Sequence, residues 1–356
     1  MASRATAEKW LSELTSLPTA PGLEDDVVEW VGKWVNRRPD LRAIEDSGGN
    51  VFITQKGRKR HAPVLAVAHM DHPAFVIVDG DGSFEFRGGV DAAYFDDAGI
   101  EIVSRTGPSG QVVSYDPKTQ RGAARFDDDV RPGDVAMWRF ERARPRPGLL
   151  AAPACDDLAG AAAALAALDK ARARPDLRHF GVLLTRAEEV GLIGAIHAAK
   201  HGTIPDGARL LSIEMSRELP TARIGDGPII RVGDRSTVFD REMSNRISRA
   251  AADVGLTHQR KLMDGGGCEA TAFGAYGYRA TGLCLALGNW HNRGNLDAVE
   301  AGDHSAAIPR WEEISIGDFH GLVRLLLVAA GAVDVEDPLA TSLDRLYETN
   351  SHYLAR

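Results

Sequence analysis

Four apolar runs of strand length end in a side chain able to bind a cation or move a proton. Val64–Ala68 runs into His69 and, two residues on, Asp71. Val182–Thr185 leads through Arg186 and Ala187 to Glu188-Glu189, and Leu210–Ile213 leads directly to Glu214. Leu283–Leu287 leads through Gly288, Asn289 and Trp290 to His291. A fifth donor pair, Asp156-Asp157, opens an alanine-rich stretch. Open α/β sheets bind ligands beyond the carboxyl ends of their strands, so these groups would converge on one small volume. Carboxylates crowded there would repel one another, and one or more would be forced to hold a proton. Divalent cations relieve that repulsion. Two His and three carboxylates form a nitrogen and oxygen set suited to zinc, cobalt or manganese, and the lack of cysteine among them argues against a closed structural zinc site. Five donors exceed one tetrahedral zinc with an open position. They suit two ions about 3.5–4 Å apart that share a carboxylate and a water.

Each piece alone has a plainer reading. A single His is more often a surface or core residue, an Asp-Asp pair at a helix start is more often a cap, and Glu188-Glu189 could be an exposed helix entry. His69-x-Asp71 is more telling, because the Asp can hold the second ring nitrogen and fix the tautomer. The weight lies in the repetition, since the plain readings do not explain why strand after strand ends this way. Gly265-Gly266-Gly267 could line a site by close backbone approach, although a glycine run is more often a turn, and no Lys-Ser/Thr follows to make a phosphate loop. Arg217 could read an acidic substrate, but a surface role is the more common fate of such a residue.

The elements that must place these groups are legible in outline. Apolar spacing at Trp10, Leu11, Leu14 and Leu17 predicts an amphipathic helix over about 6–17 ended by Pro18 and Pro21, and a second helix is expected from Asp25 to Val35. Strands are expected at Asn50–Thr54 and Pro63–Ala68. From about Pro73 to Leu150 short alternating runs such as Ala74–Val78, Ser83–Arg87 and Gly110–Ser114 are broken by Asp-Gly and Gly-Gly turns, the mark of a small all-β unit. It closes with the proline-rich linker Arg144-Pro-Arg-Pro-Gly148. After Ala151 an alanine-rich helix, Ala159–Arg174, precedes uninterrupted apolar runs at Phe180–Thr185, Arg209–Ile213 and Gly282–Leu287, as in strands buried on both faces. An α/β layered core follows.

Composition excludes some partners. The 356 residues carry 42 basic and 50 acidic side chains, a net charge of −8, with no surplus for a nucleic-acid-binding face. Residues 297–356 hold eleven Asp/Glu and four Arg, an acidity that reads as a solvated surface. Cys155, Cys268 and Cys284 are few and scattered, favouring packing roles and a reducing, cytoplasmic compartment. No apolar run approaches membrane-spanning length, so no membrane partner is expected.

Ala68-His-Met-Asp71-His, Cys155-Asp-Asp-Leu-Ala-Gly160, Arg186-Ala-Glu-Glu-Val-Gly-Leu-Ile-Gly-Ala195 and Ser212-Ile-Glu-Met215 resemble the ordered motifs of the co-catalytic dinuclear metallo-aminopeptidases, most closely the glutamyl/tetrahedral (TET) aminopeptidase family. Pro21-Gly-Leu-Glu-Asp25, Asp46-Ser-Gly-Gly-Asn50 and Gly265-Gly-Gly-Cys-Glu-Ala-Thr271 extend the likeness over nearly the whole chain. The resemblance implies an α/β/α sandwich with a mixed central sheet, a discontinuous catalytic domain (1–72 and 151–356) and a small β-barrel dimerisation domain inserted at 73–150. It implies that Asp156 bridges two divalent ions, most often zinc, with cobalt or manganese as alternatives. His69 and Glu214 would complete one ion, Glu189 and His291 the other. Glu188 would be the general base, Asp71 would orient His69, and a cis peptide is expected between Asp156 and Asp157. Short peptides would be the substrates, and the oligomer would run from a dimer to a dodecamer. The family commonly has Asp where Glu214 stands and an Arg-Tyr pair before its last histidine, where this chain has Gly288-Asn-Trp290, followed by an apparent insertion through His304. His304 is therefore a lesser candidate for the last ligand, and a related amidohydrolase or a silent binding relative are alternative functions.

Overall fold

A computed structural model describes residues 2–57, 61–141, 146–263, 265–335 and 339–354. Two helices open the chain, α1 (Arg4–Leu14) and α2 (Asp25–Asn36). The first stops three residues short of the expected end, because the hydroxyls of Thr15 and Ser16 bond back to the carbonyls of Leu11 and Ser12 and offer the backbone an exit from the helix. Three strands follow, β1 (Leu41–Glu45), β2 (Val51–Gln55) and β3 (Val64–His69).

Strands β4 (Ala74–Ile77), β5 (Ser83–Arg87), β6 (Gly99–Ile102), β7 (Ser109–Asp116), β8 (Arg121–Phe126) and β9 (Val135–Trp138) close into a small antiparallel barrel in the order β4-β5-β8-β7-β6-β9. Its interior is aromatic, built on Phe75, Phe84, Phe86, Phe95 and Trp138. Part of the expected linker, Arg144-Pro145, lies outside the described residues; the chain resumes into β10 (Leu149–Ala152).

The remaining elements build the layered part: α3 (Leu158–Ala171), β11 (Phe180–Thr185), α4 (Ile193–Lys200), β12 (Arg209–Arg217), β13 (Ile229–Gly233), α5 (Arg241–Asp253), β14 (Gln259–Leu262), α6 (Glu269–Ala275) and β15 (Arg279–Leu287). The short pair β16 (Arg293–Gly294) and β17 (Ile308–Pro309) flanks α7 (Leu296–Glu300), and β18 (Glu312–Ser315), α8 (Ile316–Ala332) and α9 (Leu339–Asn350) follow. The mixed eight-stranded sheet runs β1-β2-β11-β3-β12-β15-β13-β14. Its four central strands, β11, β3, β12 and β15, are mutually parallel, so their carboxyl ends share one edge.

One face is covered by α1, α2, α3, α5 and α8, and the other by α4 and α6, giving an α/β/α sandwich. Helix α3 is buried along almost its whole length, and its alanines let it lie close between the sheet, α1 and α8. The edge strands β1 and β14 have almost no buried side chain, which is why apolar patterning does not announce them. No helix among the described residues is long and apolar enough to cross a membrane.

Candidate metal centre

Register decides what meets beyond the sheet. His69 pairs with Thr185 across β3 and β11, and Val67 pairs with Ser212 across β3 and β12. Two residues past that last pair, Glu214 therefore stands level with His69. The Asp156 segment arrives from β10 at the start of α3, and the two Asp residues are joined by a cis peptide. His291 sits past β15 in a tight loop whose Asn289, His291 and Asn292 all have positive φ.

Among the described residues, three sets of donor atoms lie within 4.8 Å of one another: His69 with Asp156 and Glu214, His69 with Glu188 and Glu189, and Asp156 with Glu189 and His291. Asp156 belongs to two of them through different oxygens. Its Oδ1 lies 3.5 Å from His69 Nε2, and its Oδ2 lies 3.6 Å from His291 Nε2. Glu189 Oε1 is 3.2 Å from the same nitrogen of His291, and Glu188 Oε2 is 3.9 Å from His69 Nε2. The expected site residues are thus brought together. His304 is not: it is exposed in a short turn after α7.

The far ring nitrogens are held by carbonyls. His69 Nδ1 lies 3.0 Å from the backbone oxygen of Asp71, closer than the 3.6 Å to its carboxylate. The Asp71 carboxylate instead accepts the backbone N–H groups of Glu188 (2.9 Å) and Glu189 (3.0 Å). Buried Glu24 accepts the N–H of Ala187, itself at positive φ, so three successive amides of the Glu188-Glu189 turn end on two carboxylates. His291 Nδ1 lies 3.0 Å from the carbonyl of Gly89, a residue of the barrel segment.

This concentration of charge is under electrostatic stress. Burial, reinforced by neighbouring carboxylates, pushes Glu214 well above the usual carboxylate range, and burial does the same to Glu188 and Asp157. Asp156 is held below its ordinary value, against its burial, by the imidazoles of His291 and His69 beside its two oxygens. Burial opposes charge on the two imidazoles, yet Glu188 and Asp156 raise His69 well above its usual value, and Glu189 and Asp156 raise His291 to about 10. Buried oxygens Glu189 Oε1 and Glu214 Oε1 accept no hydrogen bond. Such oxygens and imidazole nitrogens, converging from separate strands, fit divalent cations better than protons.

Above the cluster opens a cavity of about 550 Å³, lined by Met215, Leu219, Met263, Trp290 and the Gly265–Gly267 run. Arg217 also borders it, but its guanidinium is engaged by Asp297 and Glu300 of α7. The three cysteines are buried free thiols, and burial raises all three, Cys284 to about 11, as inert packing residues require.

One expectation fails. The acidity of the last sixty residues is not all solvated surface, because Glu312 is fully buried behind the cluster. Its Oε2 accepts from the N–H groups of Cys155 (2.7 Å) and Asp156 (3.0 Å), and its Oε1 from that of His291 (2.8 Å). Burial pushes its carboxyl up to about 7. The available signal is positional: alternate strand residues share a face, so Glu312 lies on the same face as the core residue Ile314. His72, between the Asp156 carbonyl and Asn292 Oδ1, and Glu269, with both oxygens unpartnered, are further buried polar groups with no assigned role at the sequence level.

A histidine and carboxylate donor set beyond the parallel strands of an α/β/α layer, beside an inserted barrel, defines a metallohydrolase. Residues 118–307, more than half of the chain, match the model of the M42 glutamyl aminopeptidases, and the chain belongs to that family. It is a metal-dependent aminopeptidase, a hydrolase of peptide bonds. A protein of Acetivibrio thermocellus is 23% identical over 282 residues, 73% of this chain and 83% of its own. Among solved structures, the Pyrococcus horikoshii TET1 peptidase superposes with a TM-score of 0.72 at 21% identity, covering 91% of this chain and 99% of that one. An aminopeptidase from Desulfurococcus kamchatkensis gives 0.72 at 20%, covering 93% and 96%. These likenesses share the expected fold.

Proposed function

We propose that the chain removes N-terminal residues from short peptides with two divalent ions bound around Asp156. The observation that carries this reading is the division of that one carboxylate between two histidines, Oδ1 towards His69 and Oδ2 towards His291. His69 and Glu214 would hold one ion, and Glu189 and His291 the other. Zinc is the best match to this nitrogen and oxygen set, with cobalt and manganese also suited. When bound, such ions supply Lewis acidity for the scissile carbonyl and bring the pKa of a shared water towards 7.

The protein's own groups then move the proton. Glu188 reaches over the cavity with its carboxyl near His69 Nε2, and it accepts the proton of the attacking water and hands it to the departing amine. Asp71 is a positioning residue for both sides of this step, its backbone oxygen on His69 and its carboxylate on the Glu188-Glu189 amides. Carboxylates at the rim would also receive the free α-amine of the substrate, limiting cleavage to the chain end.

We read 1–72 and 151–356 as the catalytic domain and 73–150 as an insert serving self-association. The Pyrococcus horikoshii peptidase can assemble into a tetrahedron or an octahedral shell, which supports a homo-oligomer here. The test is a panel of free and N-acylated aminoacyl-p-nitroanilides, with Zn²⁺, Co²⁺ or Mn²⁺ restored to metal-stripped protein. Turnover of the free compounds that depends on added metal is expected. Preference for the acylated ones would assign a deacylase-like amidohydrolase instead.

A further inference from the structure

We propose that Glu312 is a positioning residue that locks the two chain segments carrying Asp156 and His291 together, and so sets cation affinity at the side of the centre they share. This rests on the two-ion reading above. Both carboxylate oxygens are committed to backbone N–H groups, Oε2 to Cys155 and Asp156 and Oε1 to His291, at 2.7, 3.0 and 2.8 Å. The side chain is fully buried and belongs to none of the convergent donor sets, so it acts through the ligands and not as one.

The segments it joins reach the site by separate routes. Asp156 follows β10, while His291 follows β15 in a loop where Asn289, His291 and Asn292 have positive φ. Strand β18, which carries Glu312, is itself bonded to both routes. It pairs with β10, Ala152 opposite Glu312, and its next residue exchanges two hydrogen bonds with Gly288 at the end of β15. The backbone of β18 is therefore a strut between the two ligand-bearing chains, and the Glu312 carboxylate is the contact that reaches the ligands' own amides. Left-handed backbone at non-glycine residues persists only where the surroundings over-determine it. At His291 those surroundings are the Glu312 carboxylate on its N–H and the Gly89 carbonyl on its ring. Groups that orient ligands in this way commonly control metal affinity by about 10–100-fold when removed.

A merely structural Glu312 would lower stability alike with and without metal and leave affinity unchanged. The experiment takes the full-length chain, stripped of metal, and titrates Zn²⁺ against a chromophoric chelator for the parent, Glu312→Gln and Glu312→Asp, with thermal melts in both states. Glutamine presents an NH₂ where one carboxylate oxygen accepted, so at least one of the three bonds is lost and two donors face each other. The expected result is a native circular dichroism spectrum, one Zn²⁺ bound about 10–100-fold more weakly, a smaller rise in Tm on adding Zn²⁺, and kcat recovering at excess Zn²⁺ with KM little changed. Should Glu312→Gln not fold, Glu312→Asp carries the test, with the retracted carboxylate expected to weaken Zn²⁺ in the same direction. Parent-like affinity for both ions in a folded variant overturns the proposal. A parent chain that binds no Zn²⁺ overturns the two-ion reading and the proposal with it, whereas unchanged affinity in the variants removes only the role of Glu312.

Discussion

The barrel and the rim of the large sheet bury polar groups under opposite rules. In the barrel, Phe75 meets Phe84, Phe86, Phe95 and Trp138 edge-on, with ring centroids 4.7–5.7 Å apart. Its buried hydroxyl, that of Tyr94, donates to the Gly294 carbonyl at 2.8 Å. At the rim, buried oxygens of Asp157, Glu189, Glu214 and Glu269 have no hydrogen-bond partner. Among the described residues the barrel leaves no buried side-chain nitrogen or oxygen without a hydrogen bond, whereas the rim leaves carboxylate oxygens so at several adjacent positions. Among the described residues, Trp34, Arg209 and Arg246 leave single buried nitrogens without a partner elsewhere, but the unpartnered carboxylate oxygens all lie at the rim, and such a cluster marks function. The two regions are also joined: Val299 of α7 packs into the barrel core, and the barrel segment supplies the carbonyl on His291. The stretch after His291 is thus held by the barrel.

The largest stability effect lies in the barrel. Phe75→Ala should cost about 3–5 kcal/mol in chemical denaturation, while kcat per folded molecule stays within roughly a factor of two. Loss of turnover at undiminished stability would erase the distinction between the regions. A smaller effect separates the rim from ordinary buried charge elsewhere. Asp169 on α3 is paired with Arg38 and Arg172, and these partners hold its carboxyl below the usual range although burial opposes them. A depressed folded pKa stabilises fully above the unfolded value near 3.9, and the contribution is lost as pH falls through the folded value. Asp169→Asn should therefore be less stable by about 1–2 kcal/mol at pH 7, the gap closing below about pH 4 in denaturation series. A gap that widens in acid would contradict the assignment.

The sheet and its site differ in how far they can be read from residues. The central strands are plain as unbroken apolar runs, and His69, Glu214 and the Glu188-Glu189 pair stand out because each interrupts or follows such a run. Strands β1 and β14 escape because only Leu41 of their side chains is fully buried and the half-buried side of β14 carries Gln259 and Lys261, so apolar residues do not alternate. Glu24 and Glu312 escape for another reason. The partners of Glu312 are backbone amides of distant segments, which have no sequence signature, and Glu24 is held by the distant Ala187 amide and the Arg186 guanidinium, so each reads as surface charge until the fold supplies its donors. The sequence already favours His291, which follows an apolar run, over His304, and the fold adds the closeness of His291 to Asp156 and Glu189 and its barrel contact.

The central claim, that the rim gathers charge to hold two ions for a reaction whose proton Glu188 carries, is tested most directly by Glu188→Gln with metal content and turnover measured on one sample. Close to two divalent ions per chain by elemental analysis and a kcat lower by about 10²–10⁴-fold are expected. Retained turnover would contradict it, as would a parent chain that holds no divalent ion.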